Sequence, residues 1–120
     1  MKKISFLALF FLLFNATVKS QTCDDLPEIF HSHSEAIRAI QNTSFNLTDE
    51  LPFGKSPIIL SADYYSCDGN FGYMIYTTSK RMEYILEKIP FKIWTEFKTA
   101  TIPSNYFSQN IKGRYRLVPE

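Results

Sequence analysis

The first twenty residues decide how much of this chain has to fold. Lys2 and Lys3 precede an apolar run, Ile4 to Phe14, interrupted only by Ser5. A polar, small-residue stretch follows, Asn15-Ala16-Thr17-Val18-Lys19-Ser20. That order is the order of a secretory signal peptide, with cleavage expected after Ser20. The run is far shorter than the roughly 20 residues a membrane span needs, so it reads as a targeting segment and not an anchor. Gln21-Thr22 before Cys23 lacks the small-residue context of a lipoprotein. No second run of spanning length occurs, so no membrane span is expected once the signal is removed.

Removal of residues 1–20 leaves 100 residues carrying 10 basic and 12 acidic side chains. The slight positive charge of the full chain therefore belongs to the targeting segment. A net charge near −2 argues against nucleic acid as the default partner. The chain is 16% aromatic, which excludes a disordered class. One modest core is within reach of this length.

An exported chain is permitted a disulfide, and Cys23 and Cys67 are its two cysteines. A bond between them would pin the mature N-terminus to a mid-chain loop. Two free buried thiols are the alternative. Neither cysteine has a neighbour that resembles the activating partner of a catalytic thiol.

Residues 25–45 carry Ile29, Phe30, His33, Ile37 and Ile40 near helical spacing, and a helix is expected there. Asp25 with Pro27 offers one start, and Ser32 with Glu35 a second, of capping-box type. Residues 42–54 read as a loop pinned by Phe45, Leu47, Leu51 and Phe53. Residues 57–65, 71–78 and 82–88 read as strands, the first two joined by an Asp68-Gly69 turn. Pro90 opens a helix over 91–100, with Ile93, Trp94 and Phe97 as its apolar stripe. One more helical turn is expected near 104–110, then an extended arm over 112–118. The expected fold class is α+β. It is a small three-stranded antiparallel meander packed on a helix, with an N-terminal helix and an extended C-terminal arm.

The tail, Tyr106-Phe107-Ser108-Gln109-Asn110-Ile111-Lys112-Gly113-Arg114-Tyr115-Arg116, resembles the closing motif of the KTSC domain. That short domain is named for the C-terminus of some lysyl-tRNA synthetases and also occurs alone in bacterial proteins. Ser61-Ala62-Asp63-Tyr64-Tyr65 is similar to its first strand, and Gly72-Tyr73-Met74-Ile75-Tyr76 to its second. Ile89-Pro90-Phe91-Lys92-Ile93-Trp94-Thr95-Glu96-Phe97 resembles its Val-Pro-led helix. Two positions depart from the pattern: Leu86 stands where the family has a second Tyr, and Ser79-Lys80-Arg81 forms a turn that usually carries Gly. The resemblance covers roughly residues 56–117, so the expected division is a signal peptide at 1–20, an N-terminal helical extension at 21–55 and a KTSC-like α+β domain at 56–120. It carries no established activity, and RNA binding is the role suggested by the synthetase.

The C-terminal arm is the best candidate for binding. In an extended segment Lys112, Arg114 and Arg116 share one face, and Tyr115 and Leu117 the other. With Tyr106, Phe107 and Asn110 upstream, that pattern suits phosphates and stacked bases, or a final strand with a solvated basic side. Gly113 is expected to need a left-handed backbone. Charge runs from −5 over residues 21–50 to +3 over 91–120, so the N-terminal helix is a candidate cover for the basic tail.

Other constellations carry less. His31 and His33 point about 200° apart on a helix, and zinc needs three or four ligands, so no metal is expected. The adjacent acids Asp24-Asp25 and Asp49-Glu50 read as a helix start and a solvated loop. Two Asn-x-Ser/Thr sequons, at Asn42 and Asn46, read as chance matches. No cofactor motif and no catalytic constellation occurs. The function expected is an exported binding module, periplasmic or secreted, with a protein or peptide partner in the cell envelope. RNA binding through the basic-aromatic arm is the alternative.

Overall fold

The computed structural model describes residues 21–119; the expected signal peptide, residues 1–20, lies outside the described residues. Six strands and three helices follow in order. They are β1 (Gln21–Thr22), α1 (His33–Gln41), β2 (Thr43–Ser44), β3 (Leu47–Glu50), β4 (Ile59–Ser66), β5 (Phe71–Thr78), β6 (Glu83–Pro90), α2 (Phe91–Thr99) and α3 (Pro103–Asn110). A single 3-10 turn, Cys23–Asp25, precedes α1.

Strands β3 to β6 form one antiparallel sheet in chain order, and β1 pairs with β2 in a separate parallel ladder. The expected three-stranded meander is therefore corrected to four strands. The added strand, β3, lies in the stretch read as a loop. Its side chains alternate between half-buried and exposed, but the inward position in its middle is Asp49, which hides the apolar alternation of a half-buried strand. The Asp68-Gly69 turn forms as expected: the Asp68 carboxylate accepts from the backbone of Asn70 and Phe71, and Gly69 sits at φ 78°.

A bulge in β6 decides which side chains face which way. Gly72 pairs with Ile89 and Met74 with Leu86, so one extra residue lies on β6. Lys88 absorbs it in the left-handed region, at φ 56°. Leu86 and Ile89 thereby reach the same face. Gly72 has no side chain because there is no room for one. A Cβ there would press into the Tyr65 carbonyl oxygen and the Tyr64 ring.

Each face of the sheet carries its own core. On one, Tyr64, Met74, Tyr76, Leu86 and Ile89 meet Trp94 and Phe97 of α2 and Phe107 of α3. The Tyr64 and Trp94 rings stack 5.2 Å apart, and the Tyr64 hydroxyl donates to the Ile89 carbonyl. On the other, Ile75 and Ile85 meet Phe30, Ala36, Ile40 and Val118. The N-terminal extension thus covers the second face.

The expected helix over 25–45 shortens to α1. Ser32 caps it, accepting from the Glu35 backbone N–H at 3.1 Å. Upstream, Pro27 lies in irregular chain and Ile29 is 67% exposed. A Cys23–Cys67 disulfide ties this extension to the β4–β5 hairpin, with the Cα atoms 5.9 Å apart. Such a bond is compatible with an oxidising, exported location. Among the described residues, no helix is long and apolar enough to cross a membrane.

The extended C-terminal arm is also corrected. Residues 111–114 form a turn with Gly113 at φ 77°. Only then does the chain meet β6, through the Leu86–Leu117 bridge and backbone bonds from Glu87 to Arg116 and from Val118 to Ile85.

Candidate functional site

The turn at Gly113 bends the tail away from a flat strand and opens a cleft of about 740 Å³. One wall is α3, with Ser104, Phe107 and Ser108. The floor is the sheet, with Ile59, Tyr76, Tyr84 and Leu86. The other wall is the tail, with Lys112, Gly113, Tyr115, Arg116 and Leu117. Tyr76 and Tyr84 are directly opposed across β5 and β6 and stack 5.3 Å apart. The Phe107 ring meets Tyr76 edge-on at 4.8 Å. Burial pushes the Tyr76 hydroxyl up from its ordinary value, and the neighbouring Tyr84 adds to the shift.

Four of the seven expected site residues come together here: Phe107, Lys112, Tyr115 and Arg116. Three do not. The Tyr106 hydroxyl donates to Glu96 of α2 at 3.1 Å. Burial and the Glu96 carboxylate push it up to about 12, so it ties the two helices together. Asn110 donates to the Tyr106 carbonyl within α3. Arg114 is exposed in the turn, outside the cleft. The shared basic face of Lys112, Arg114 and Arg116 is lost with the extended arm.

Cover of the basic tail by the N-terminal helix is corrected too. The extension meets the tail at apolar Val118, while Arg116 Nε lies 3.6 Å from the Glu87 carboxylate of β6. His33 faces Glu83 at 3.4 Å. Among the described residues, no group of three or more His, Cys, Asp or Glu is placed to hold a metal ion.

Asp49 is not a solvated loop residue. It accepts from Trp94 Nε1 and from Lys98 Nζ, each at 2.9 Å. Burial pushes its carboxyl up, but the hydrogen bonds from Trp94, Lys98 and the Glu50 backbone outweigh that and hold it below the ordinary 3.8. This contact fastens β3 to α2, away from the cleft.

The sequence reading missed Tyr76, Tyr84, Leu86, Ser104 and Ser108. The even-numbered side chains of β5 and β6 and the four-residue spacing of Ser104 and Ser108 were the available signals. The chain matches no family model, no curated protein and no solved structure.

Proposed function

We propose that this chain is an exported, non-catalytic binding module of KTSC type, periplasmic or secreted, whose ligand is a protein or peptide. The cleft is the single observation that carries this reading. Its floor is aromatic and aliphatic, its rim carries Lys112 and Arg116, and no acid among the described residues lines it. That composition suits a partly apolar ligand held by a few polar groups. Two of the three tail rings that would stack on bases are spent elsewhere: Phe107 is buried against Tyr76 and Phe97, and Tyr106 is bound to Glu96.

The test is selection of displayed random peptides on the oxidised chain, repeated on Ser108→Trp, which places an indole at the exposed rim. Enriched peptides that bind the natural chain and lose binding to the variant support the reading. No enrichment, or equal binding to both, overturns it. Labelled single-stranded RNA, followed by anisotropy between about 50 and 200 mM salt, is expected to bind no tighter than roughly 10⁻⁴ M. Tighter binding that falls steeply with salt replaces the peptide reading with the nucleic-acid one.

A further inference from the structure

Ser104, Ser108 and Lys112 recur every four residues along α3 and the turn that ends it, so they stand on one side of that segment. All three line the cleft. Ser104 is only 7% exposed, yet its hydroxyl meets no protein partner among the described residues. The residue is largely buried while its unpartnered oxygen stays open to the cleft it lines, so a ligand there can complete its hydrogen bond. It lies in the first turn of α3, where Ile102 provides no side-chain cap and no acid is present. That end of a helix favours an acceptor such as a carbonyl oxygen. At the other end of the row, the Lys112 ammonium pairs with no acid among the described residues.

The row therefore asks for two acceptors, one neutral and one anionic, over an apolar floor. Helix runs from Ser104 to Asn110 and Lys112 lies two residues past its end, so the row spans on the order of 12 Å. An extended peptide covers that distance in three or four residues, at roughly 3.3 Å each. Its alternate side chains would fall on Tyr76, Tyr84 and Leu86. Ile58 and Leu117, which also line the cleft, are 56% and 43% exposed and carry its apolar surface out to the mouth. A short free acid would not reach them, whereas a chain running out of the cleft would.

We infer that the cleft captures the carboxyl-terminal three or four residues of a protein partner. The terminal carboxylate sits at Lys112, a backbone carbonyl accepts from Ser104, and an apolar last side chain lies on the Tyr76–Tyr84 pair. This rests on the peptide-binding reading above and names the part of the peptide that is read.

The experiment uses three fluorescein-labelled hexapeptides against the oxidised chain, read by anisotropy. One ends in Leu-Phe with a free carboxylate, one is its C-terminal amide, and one carries two further glycines after Phe. The free acid is expected to bind about tenfold more tightly than the other two, the worth of one charge-assisted hydrogen bond. Lys112→Gln is expected to erase that advantage, so that acid and amide bind the variant equally. Ser104→Ala is expected to weaken acid and amide alike. Lys112 is exposed, and Ser104→Ala removes one oxygen, so both variants keep the fold; an unchanged melting temperature checks this. Equal binding of acid, amide and extended peptide overturns the chain-end inference and leaves the peptide reading standing. Absence of all binding, together with no enrichment from the displayed library, overturns both.

Discussion

The two faces of the sheet are closed in opposite ways. The face bearing Tyr64, Tyr76 and Leu86 is covered by α2 and α3, which follow β6 directly in the chain. The face bearing Ile75 and Ile85 is covered by Phe30, Ala36 and Ile40, which lie more than thirty residues upstream of Ile75. The first cover is held by local connectivity and stacked aromatic rings. The second closes a long loop, which costs more chain entropy, and it is the one that carries the disulfide. The difference also separates roles. The locally covered face leaves a cleft where α3 and the tail part, while the distant cover lies over the opposite side.

The largest break in this comparison comes from the aromatic face. Phe97 is fully buried between Trp94 and Phe107, so Phe97→Ala is expected to cost about 3–5 kcal/mol. Chemical denaturation measures this, and a loss below about 1 kcal/mol would deny that face its dominant share.

Next comes the staple. Replacing Cys23 and Cys67 together by Ser frees a loop of 44 residues, for which the chain-entropy treatment gives about 4 kcal/mol. The loss is expected to be uneven. Hydrogen exchange should quicken at Ala36–Ile40 of α1 well before Trp94–Lys98 of α2. Uniform quickening would mean that the two faces unfold as one.

A smaller effect is expected at Asp49, which fastens β3 to α2. Asp49→Ala leaves the buried Trp94 N–H without its acceptor and is expected to cost about 1–3 kcal/mol. The pH dependence has a definite sign. The folded carboxyl lies below 3.8, so its contribution is fully present above that value and is lost as pH falls through the lowered one. Acid unfolding of the variant should therefore be flatter below about pH 4 than that of the natural chain. Parallel curves would remove Asp49 from the account.

The smallest change is Gly113→Ala. With φ at 77°, an added Cβ is expected to cost about 1–2 kcal/mol. It should also weaken peptide binding, because the turn sets one wall of the cleft. Full stability with full binding would show that the wall does not depend on the left-handed turn.

Much of the sheet was legible because local signals agreed. The strand over Phe71–Thr78, the Asp68-Gly69 turn, the helix opened by Pro90 and the Ser32 cap all stand where their residues placed them. Strand β3 escaped because it is four residues long and turns a carboxylate inward, toward an indole 45 positions away. The tail escaped because one left-handed glycine outweighed an alternating pattern. Of the site, the contribution from the tail was readable as a basic-aromatic cluster. The floor was not, since Tyr76, Tyr84 and Leu86 acquire a shared purpose only when α3 is laid across them. Ser104 was invisible for a similar reason: a serine reveals a missing partner only after its neighbours are known.

The bridge at Leu117 bears on how the protein behaves in concentrated solution. By bonding to Ile85, Leu86 and Glu87, residues 116–118 occupy part of the outer rim of β6, where unpaired backbone groups would otherwise invite a strand from another molecule. On the opposite rim β3 contributes only four residues, and Thr48 and Glu50 stand exposed along it. Loss of a few residues from the tail would thus strip a guard from β6 and leave its backbone groups open to a strand from another molecule.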